Sequence, residues 1–468
     1  MIFHSFDFIY IFLPVALFLY YSTGLFRKSN LSMAILVLCS LVFYGYGNWF
    51  NLLVLIPSII TNFIFGLFLR KKPNKGVLGL AIALNLGALG YFKYTNFLIA
   101  NIAPFMPSSL APLNIILPIG ISFFTFQQIA YLVDIYSGKV EETNFIRYLL
   151  FVSFFPKVTM GPITRHGEML QQFVPGNGIS RFNVNNFSLG VMWFTMGLAK
   201  KVLIADQCAP WANAVFDHYG TISLAEAWIG ALAYTMQLYF DFSGYSDMAI
   251  GIAKFFNIHI PQNFLSPYKA SSIADFWRRW HITLSLFLRD YIYIPLGGNR
   301  AGRFRRSINI MVTMLLAGLW HGANWTFVIW GGYHGLLIVL NNIWSNLGRK
   351  LPLSLARGLT FIAVLVGWVF FRSRSINHAF DILKSMVNLH SFRTEALTLI
   401  PGGFYEIAFL ILLLIFVNVA PNSTALLTEK RMKKRYAFAC AVIFFICMLS
   451  MNQDVLTKVP TVFLYRNF

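Results

Sequence analysis

The chain consists mainly of long apolar runs separated by short polar or basic stretches. A membrane span needs roughly 20 apolar residues, because a helix rises about 1.5 Å per residue and the hydrocarbon core is about 30 Å thick. We predict spans over 8–26, 31–48, 51–69, 77–99, 113–136, 145–160, 186–205, 224–253, 307–321, 325–345, 355–371, 404–420 and 436–452.

Two of these runs are unsuited to a simple crossing. The run over 145–160 ends in Phe155, Pro156 and Lys157, and the run over 224–253 is interrupted by Asp241 and Asp247. We therefore expect re-entrant or half-spanning segments among the spans. Irregular backbone is tolerated at membrane depth only inside protein or beside a water-filled cavity. The segments 160–185 and 259–306 are richer in polar residues, glycine and proline, so we expect them not to span.

The composition supports a membrane protein. Of the 468 residues 57% are hydrophobic and 12% are charged, whereas about 25% of the residues in a soluble domain are charged. A surface exposed to water would need more charged residues than this, and most of the protein's surface must therefore face lipid. We predict an all-α integral membrane fold, with residues 1–468 forming a single polytopic domain of roughly 11 to 13 transmembrane or re-entrant helices.

The net charge of +20 lies in short clusters between the apolar runs. Such clusters follow the positive-inside rule, and no basic stretch is long enough to track nucleic-acid phosphates. The basic residues over 70–75, 300–306 and 430–435 are expected on the cytoplasmic side, with the N-terminus outside. Arg372 and Arg374 fall on the outer side in this count and contradict the rule.

One polar group within the apolar runs is His321, between Trp320 and Trp325 at the end of an apolar segment. Ionisable groups inside a membrane domain are costly and are therefore functional candidates. The small residues Gly318 and Gly322 allow another helix or a substrate to approach closely. A partly desolvated imidazole is expected to be neutral near pH 7 and able to accept a proton from a hydroxyl or thiol. On the residues alone, a structural histidine bonded between helices is an equal alternative.

A second concentration runs from Asp275 to Tyr291 and contains Trp277, Arg278, Arg279, Trp280 and His281. Tryptophan and arginine are ordinary anchors at a membrane interface, so a structural interpretation is open here as well. His281 precedes His321 by 40 residues, which is enough for the two to converge from different helices.

A third concentration places Asp241 and Asp247 six residues apart in an apolar stretch. They could line a wet cavity, transfer protons or pair with Arg278 or Arg279, and a structural ion pair is the favoured interpretation. No metal site is expected, because no HExxH or CxxC spacing occurs. His166, His259 and His334 are possible supporting groups.

With these residues the chain resembles the membrane-bound O-acyltransferase family, in particular the bacterial branch that holds the alginate O-acetyltransferase membrane subunit and the teichoic-acid D-alanyl transfer protein. The resemblance covers most of residues 120–335. The matching stretches are Phe126–Tyr131 with Asp134, Phe155–Lys157 with Gly161–Pro162, Gln237–Asp247, Pro261–Phe264 with Ser266–Tyr268, Phe276–Tyr293 and Leu319–Trp325.

The resemblance implies a ring of transmembrane helices around a thin centre, where a tunnel meets two catalytic residues. The family's near-universal histidine corresponds to His321, and its second catalytic position corresponds to His281. We predict these two as catalytic, with neighbouring residues binding substrate. The predicted substrate-binding residues are Trp320, Asn324, Trp277, Arg278, Arg279, Trp280, Asp241 and Asp247.

The resemblance also implies acetyl transfer from cytoplasmic acetyl-CoA, with no bound cofactor, across a bacterial inner membrane for O-acetylation of an exopolysaccharide such as alginate. A separate extracytoplasmic SGNH-type acetyltransferase would carry the group to the polysaccharide. Two alternatives stay open: D-alanyl transfer to teichoic acid, and a non-enzymatic transporter. Transporters typically show two related halves, and the sequence contains no obvious internal duplication.

Overall fold

The computed structural model of the protein describes residues 1–24, 29–106, 111–173, 181–218, 220–300, 302–349, 351–391, 397, 399–400, 403–427, 434–457 and 463–464. The predicted basic cluster over 430–435 lies outside these residues except for its last two positions. The chain divides into two compact units by its internal contacts. A single membrane domain over 1–468 therefore stays a prediction.

The first unit comprises 1–195, 245–262 and 427–440. Its helices are α1 (Leu13–Gly24), α2 (Ser29–Gly45), α3 (Phe50–Lys71), α4 (Lys75–Leu89), α5 (Thr95–Ile102), α6 (Ile121–Tyr136), α7 (Phe145–Ser153), α8 (His166–Leu170) and most of α9 (Val184–Ala199). One π-helical turn, Gly90–Tyr94, joins α4 to α5, and another, Lys200–Ala205, follows α9 and belongs to the second unit.

The second unit comprises 196–244, 263–426 and 441–468. It contains α10 (Asp206–Phe216), the larger part of α11 (Leu224–Phe255), α12 (Ile273–Arg279), α13 (Ile282–Leu288), α14 (Gly302–His321), α15 (Trp325–Asn346), α16 (Leu353–Arg372), α17 (Ile376–Ser385), α18 (Phe404–Val419), α19 (Ser423–Leu426) and much of α20 (Lys434–Thr457). All of the predicted site residues except Asp247 fall in this unit.

The all-α membrane fold is confirmed. Six helices are long and apolar enough to cross a membrane by length and composition: Phe50–Lys71, Lys75–Phe105, Val184–Phe216, Trp325–Asn346, Leu353–Arg372 and Arg435–Asn452. Three shorter apolar helices accompany them, at Asp7–Thr23, Asn30–Gly45 and Phe404–Val419. In the described parts of 160–185 and 259–306, short helices and irregular backbone occur up to the starts of the long helices α9 at Val184 and α14 at Gly302.

The predicted helix over 113–136 is wrong in its first part, because residues 111–120 are irregular and α6 begins only at Ile121. Gly120 has a left-handed backbone with φ of 73°, which stops a helix from passing through it. Two side chains bind the irregular backbone in place of helical bonds. The Tyr44 hydroxyl donates to the Ile119 carbonyl at 2.6 Å, and the Ile119 amide donates to the Asn51 side chain at 3.3 Å.

A predicted interruption and a predicted span end are also wrong. Helix α11 runs unbroken through Asp241 and Asp247 for 32 residues. The span predicted to end at 205 continues through the π-helical turn and Asp206 into α10, so that Val184–Phe216 is one apolar helical stretch. An ion cluster described below explains how Asp206 and Asp241 are accommodated inside helices.

Candidate active site

A tight helical hairpin positions His321 at its turn. His321 is the last residue of α14, and α15 begins four residues later. A Cβ added at Gly318 would lie 2.2 Å from the Phe327 carbonyl oxygen, and one at Gly331 would lie 2.3 Å from the Met314 carbonyl oxygen. Both distances are far below a van der Waals contact, so only glycine allows the two helices to pack this closely.

Asn324 closes the turn of this hairpin. Its side-chain oxygen accepts a hydrogen bond from the Thr326 amide at 3.0 Å and so caps α15. Its side-chain amide donates to the Arg374 carbonyl at 3.1 Å. Both ends of the Asn324 side chain therefore hold the turn after His321. A substrate-binding role for Asn324 stays a prediction.

The His321 imidazole is enclosed by aromatic rings and is 2% exposed. Its ring centroid lies 4.9 Å from Trp320, 5.0 Å from Trp330 and 5.2 Å from Phe371. All three contacts are edge-to-face, the geometry that aromatic pairs favour. Trp330 comes from α15 and Phe371 from α16, so three helices build the walls around the imidazole.

His281 lies at the junction of α12 and α13 in a strained backbone conformation. Its φ is 42° and its ψ is 53°, in the left-handed region that residues other than glycine rarely adopt. Non-glycine residues in this region persist where surrounding contacts impose them, and they cluster at functional sites. The His281 side chain is fully buried. Burial lowers the pKa of this imidazole, so its neutral form predominates at physiological pH.

Asn263 supplies the contacts that hold the junction. The Asn263 carbonyl accepts from the Ile282 amide at 3.0 Å. Its side-chain oxygen accepts from the Thr283 hydroxyl at 2.7 Å and from the Thr283 amide at 3.3 Å. Asn263 is fully buried, so these bonds are shielded from competing water. They fix the two residues directly after His281 and thereby its backbone.

Trp320 connects the two histidines. The Trp320 ring centroid lies 4.9 Å from His321 and 6.1 Å from His281. Because both imidazoles contact the same indole, the centroids of His281 and His321 are no farther apart than these two distances added together. A third ring, Phe242 of α11, packs edge-to-face on His281 at 4.8 Å. The structure thus brings His321, His281 and Trp320 into one buried cluster.

Trp277 belongs to an adjoining aromatic group with His334, which was a possible supporting residue, and Trp330, which sequence patterns did not single out. Its ring lies 5.7 Å from Trp330, which also packs on His321, and 5.4 Å from His334. His334 is fully buried, and neither of its ring nitrogens has a hydrogen-bond partner among the described residues. Trp330 and His334 are four residues apart on one face of α15. That spacing was the available signal, although it is equally typical of ordinary helix packing.

Three other predicted substrate-binding residues lie in different surroundings: Trp280, Arg278 and Arg279. Trp280 is 1% exposed and packs at 4.8 Å on Trp368. Arg279 forms an ion pair with Asp275 at 2.9 Å, and Arg278 lies on the exposed side of α12. The substrate-binding roles of the two arginines stay predictions.

Asp241 is part of a buried ion cluster. The Lys201 ammonium lies 2.8 Å from a carboxylate oxygen of Asp241 and 2.8 Å from one of Asp206, and all three side chains are less than a tenth exposed. The structural ion pair favoured for Asp241 is thus present. The predicted partners, Arg278 and Arg279, are wrong, because Lys201 takes that place. A cation shared by two carboxylates removes much of the cost of burying them.

Asp247 lies six residues further along α11, in the part that belongs to the first unit, and is 4% exposed. Its substrate-binding role stays a prediction. The candidate reactive groups of the second unit are therefore the buried imidazoles of His281 and His321, both of which contact the Trp320 indole. A neutral imidazole can accept a proton or, through its N–H, donate a hydrogen bond to a developing oxyanion.

Comparison with known proteins identifies the class. Residues 12–376 match the family model of the membrane-bound O-acyltransferases. The chain belongs to this family, and it is accordingly an acyltransferase enzyme and a multi-pass membrane protein.

Individual relatives refine the comparison. The chain is 43% identical to the peptidoglycan O-acetyltransferase of Helicobacter pylori over 417 residues, which are 82% of this chain and 79% of the relative. It is 40% identical over 408 residues to the probable alginate O-acetylase of Pseudomonas aeruginosa, covering 85% and 77%. The teichoic acid D-alanyltransferase of Bacillus subtilis is more distant, at 26% over 346 residues, covering 66% and 81%. All three are bacterial, in agreement with the predicted inner-membrane location.

Proposed function

We propose that the protein transfers an acetyl group from cytoplasmic acetyl-CoA to an acceptor hydroxyl on the opposite side of the membrane, for O-acetylation of a cell-envelope polysaccharide. The observation that carries the proposal is the buried cluster in which Trp320 contacts both His281 and His321. The O-acetyl activity named for the relatives at about 40% identity supports acetyl as the transferred group.

In the proposed reaction, His321 accepts the proton of the acceptor hydroxyl as its oxygen attacks the thioester carbonyl. The carbon–sulfur bond then breaks, and His321 returns the proton to the leaving thiolate, so that an ester and a free thiol result. His281 is neutral and donates an N–H hydrogen bond to the carbonyl oxygen as negative charge develops there. The aromatic walls exclude water, which would otherwise hydrolyse the thioester.

The final acceptor is proposed to be a polysaccharide, which receives the acetyl group from the immediate acceptor by way of a separate extracytoplasmic transferase of the SGNH type. The relatives at about 40% identity are named for O-acetylation of alginate and of peptidoglycan, and this supports an envelope polymer. D-alanyl transfer is the second candidate; the relatives that carry that name are more distant, at 27% and 26% identity.

The test is replacement of His321 by alanine in cells that make the acetylated polymer. Loss of a general base costs roughly 10²–10⁴-fold in rate, so we expect ester-linked acetate on the polymer to fall to background. His390→Ala is the matched control, because His390 is an exposed histidine of the same unit. Both variants must reach the membrane in normal amounts. Normal acetylation by a normally inserted His321→Ala protein would contradict the proposal.

A labelled donor separates the two acyl groups. Membranes supplied with acetyl-labelled CoA should transfer label to the polymer fraction in a His321-dependent manner. Label transfer from a D-alanyl carrier protein, with none from acetyl-CoA, would replace acetyl by D-alanyl as the transferred group.

A further inference from the structure

A cavity of about 370 Å³ lies among helices α3, α4 and α6 of the first unit. Its walls are mainly apolar side chains, among them Leu53 and Phe65 of α3, Leu84 of α4 and Phe124 of α6. Ligand cavities are typically about 300–1,000 Å³ in volume, so this cavity is near the lower end of the range. Its size suits one small molecule or one hydrocarbon chain rather than a lipid with two chains.

A buried polar network holds the three helices around this cavity. The side-chain amides of Asn62 in α3 and Asn85 in α4 donate to each other's oxygens, at 3.1 and 2.6 Å. The Gln128 side-chain amide of α6 donates to the Ser58 hydroxyl of α3 at 2.9 Å, and its oxygen accepts from the Tyr148 hydroxyl at 3.2 Å. The three amide side chains are buried, so these bonds are shielded from competing solvent and the cavity is preformed.

Three residues that line the cavity offer polar groups to a ligand. Thr125 is 2% exposed, and its hydroxyl makes no hydrogen bond to any residue that the structure describes. The exposed Thr61 hydroxyl has no such partner either within the described ranges. Pro57 lies inside α3 and has no amide hydrogen, so the Leu53 carbonyl lacks its helical donor. Polar groups without a partner are costly where lipid replaces water, and a ligand that bonds to them is therefore favoured.

The depth and the charge of the cavity restrict the ligand to an uncharged one. Thr61 lies near the middle of the 22-residue helix α3, about 15 Å from either end at 1.5 Å per residue. Helix α3 is long and apolar enough to cross a membrane, so this level is far from the phosphate groups at the membrane surface. All of the residues that line the cavity are uncharged. A charged headgroup would be unpaired there, and burying it would be costly.

We propose that this cavity binds an uncharged single-chain amphiphile from the membrane. Its hydroxyl or carbonyl group bonds to Thr125 and Thr61, and its hydrocarbon chain packs on the leucine and phenylalanine side chains. A long-chain alcohol is the simplest ligand of this class. The inference does not depend on the proposed function, because neither of the two proposed catalytic histidines lines the cavity. A side chain from the transmembrane helix of another polypeptide is the alternative occupant, although a helix about 10 Å across does not itself fit.

The experiment measures binding of a photoreactive diazirine derivative of 1-dodecanol to the full-length protein in nanodiscs of phosphatidylcholine. Mass spectrometry locates the labelled residues, which should lie on α3, α4 and α6, and displacement by 1-dodecanol and by dodecane gives relative affinities. Loss of one hydrogen bond is expected to weaken binding roughly 3- to 10-fold. Thr125→Val should therefore weaken 1-dodecanol by this factor and leave dodecane unchanged.

A matched pair of variants tests the location of the ligand. Ala88→Trp adds a large side chain to a residue that lines the cavity, whereas Ala83→Trp adds the same side chain to an exposed residue of the same helix that does not line it. Saturable labelling should be lost in Ala88→Trp and retained in Ala83→Trp. Equal saturable labelling of the two variants, or none in wild type, would overturn the proposal. Equal displacement by 1-dodecanol and dodecane in both wild type and Thr125→Val would overturn the assigned class of ligand.

A second arm identifies the occupant in cell membranes. A photoreactive amino acid replaces Leu84, an exposed residue that lines the cavity, and the mass of the cross-linked product is measured. A product larger than the chain by the mass of one small uncharged lipid would support the proposal. A product joined to a second polypeptide would overturn it and assign the cavity to a partner helix.

Discussion

The left-handed backbone of His281 allows its structural and chemical contributions to be measured separately. Replacing His281 by glycine or by alanine removes the imidazole and its contacts with Phe242 and Trp320 in the same way. The two variants differ by one methyl group, placed on a residue with φ of 42°. Glycine adopts this conformation without steric cost, whereas alanine does not.

The expected difference follows from two opposing terms. A non-glycine residue in the left-handed region costs about 1–2 kcal/mol. The greater freedom of glycine in the unfolded chain offsets roughly 0.5–1 kcal/mol of this. We therefore expect the glycine variant to be more stable than the alanine variant by about 1 kcal/mol. Both should be less stable than wild type, since removal of a buried ring leaves a cavity.

Unfolding by sodium dodecyl sulfate in mixed micelles is the suitable assay, with acetyl transfer measured on the same preparations. A thermal scan is less sensitive, because an unfolding entropy of about 2.1 cal/mol/K per residue turns 1 kcal/mol into a shift of roughly 1 °C for a chain of this length. Transfer should fall equally in both variants, by about 10²–10³-fold, the cost of losing one hydrogen-bond donor to the developing oxyanion.

Two results would refute this reasoning. An alanine variant as stable as the glycine variant would show that residue 281 is not held in the left-handed region. Substantial transfer by either variant would show that the imidazole is dispensable.

Three further predictions concern the same unit. Acidification from pH 7 to pH 5 should lower the free energy of unfolding by about 2 kcal/mol through His281. The pKa of this imidazole is lowered in the folded state, whereas the unfolded side chain titrates near 6.5, so its contribution is complete above that pH and is lost as the pH falls. The His281→Asn variant should lose less stability on acidification. Gly318→Ala should destabilise the α14–α15 hairpin by roughly 1–3 kcal/mol, whereas Gly332→Ala, whose Cβ would meet only a leucine methyl at 3.5 Å, should be tolerated; mixed-micelle unfolding measures both. Thr283→Val should cost about 1 kcal/mol and reduce transfer, because the Asn263 oxygen loses its closer donor and retains the Thr283 amide at 3.3 Å. Thr283→Ser should retain both stability and transfer.

Each of these predictions has a contrary outcome. If wild type and His281→Asn lose the same stability on acidification, His281 is not the source of the acid sensitivity. A Gly318→Ala protein as stable as Gly332→Ala would mean that the helices are not in backbone contact. Full transfer by Thr283→Val would mean that the Asn263 bonds do not position His281.

The sequence was sufficient for the parts of the site that depend on neighbours along the chain. Trp320 adjoins His321, and the small residues around it predicted the close approach of another helix, which the Gly318 and Gly331 contacts confirm. The apolar runs located most of the long helices within a few residues, because hydrophobic length is a strong signal in a membrane protein.

The errors in the predicted helices and in the predicted site share one physical cause. Patterns local to the sequence do not reveal which groups meet in space. Asp241 and Asp247 predict an interruption, since a lone buried carboxylate is costly, and the apolar run before Asp206 predicts a span that ends at 205. Lys201 forms ion pairs with both Asp206 and Asp241, so the helices continue through these two positions. The left-handed turn at His281 carries no glycine to mark it, and its conformation depends on Asn263, which precedes it by 18 residues.

The hairpin of α14 and α15 also bears on how the enzyme comes to be folded. Trp320, His321 and Trp330 lie within eleven consecutive residues, and contacts between residues close in sequence form early because the loop that must close is short. The two helices can therefore pair as they leave the insertion machinery, with two of the three aromatic walls of His321 already in place. His281 needs partners from α11 and from the segment before α12, so its half of the site is completed later, and folding defects in distant helices should reach His281 before they reach His321.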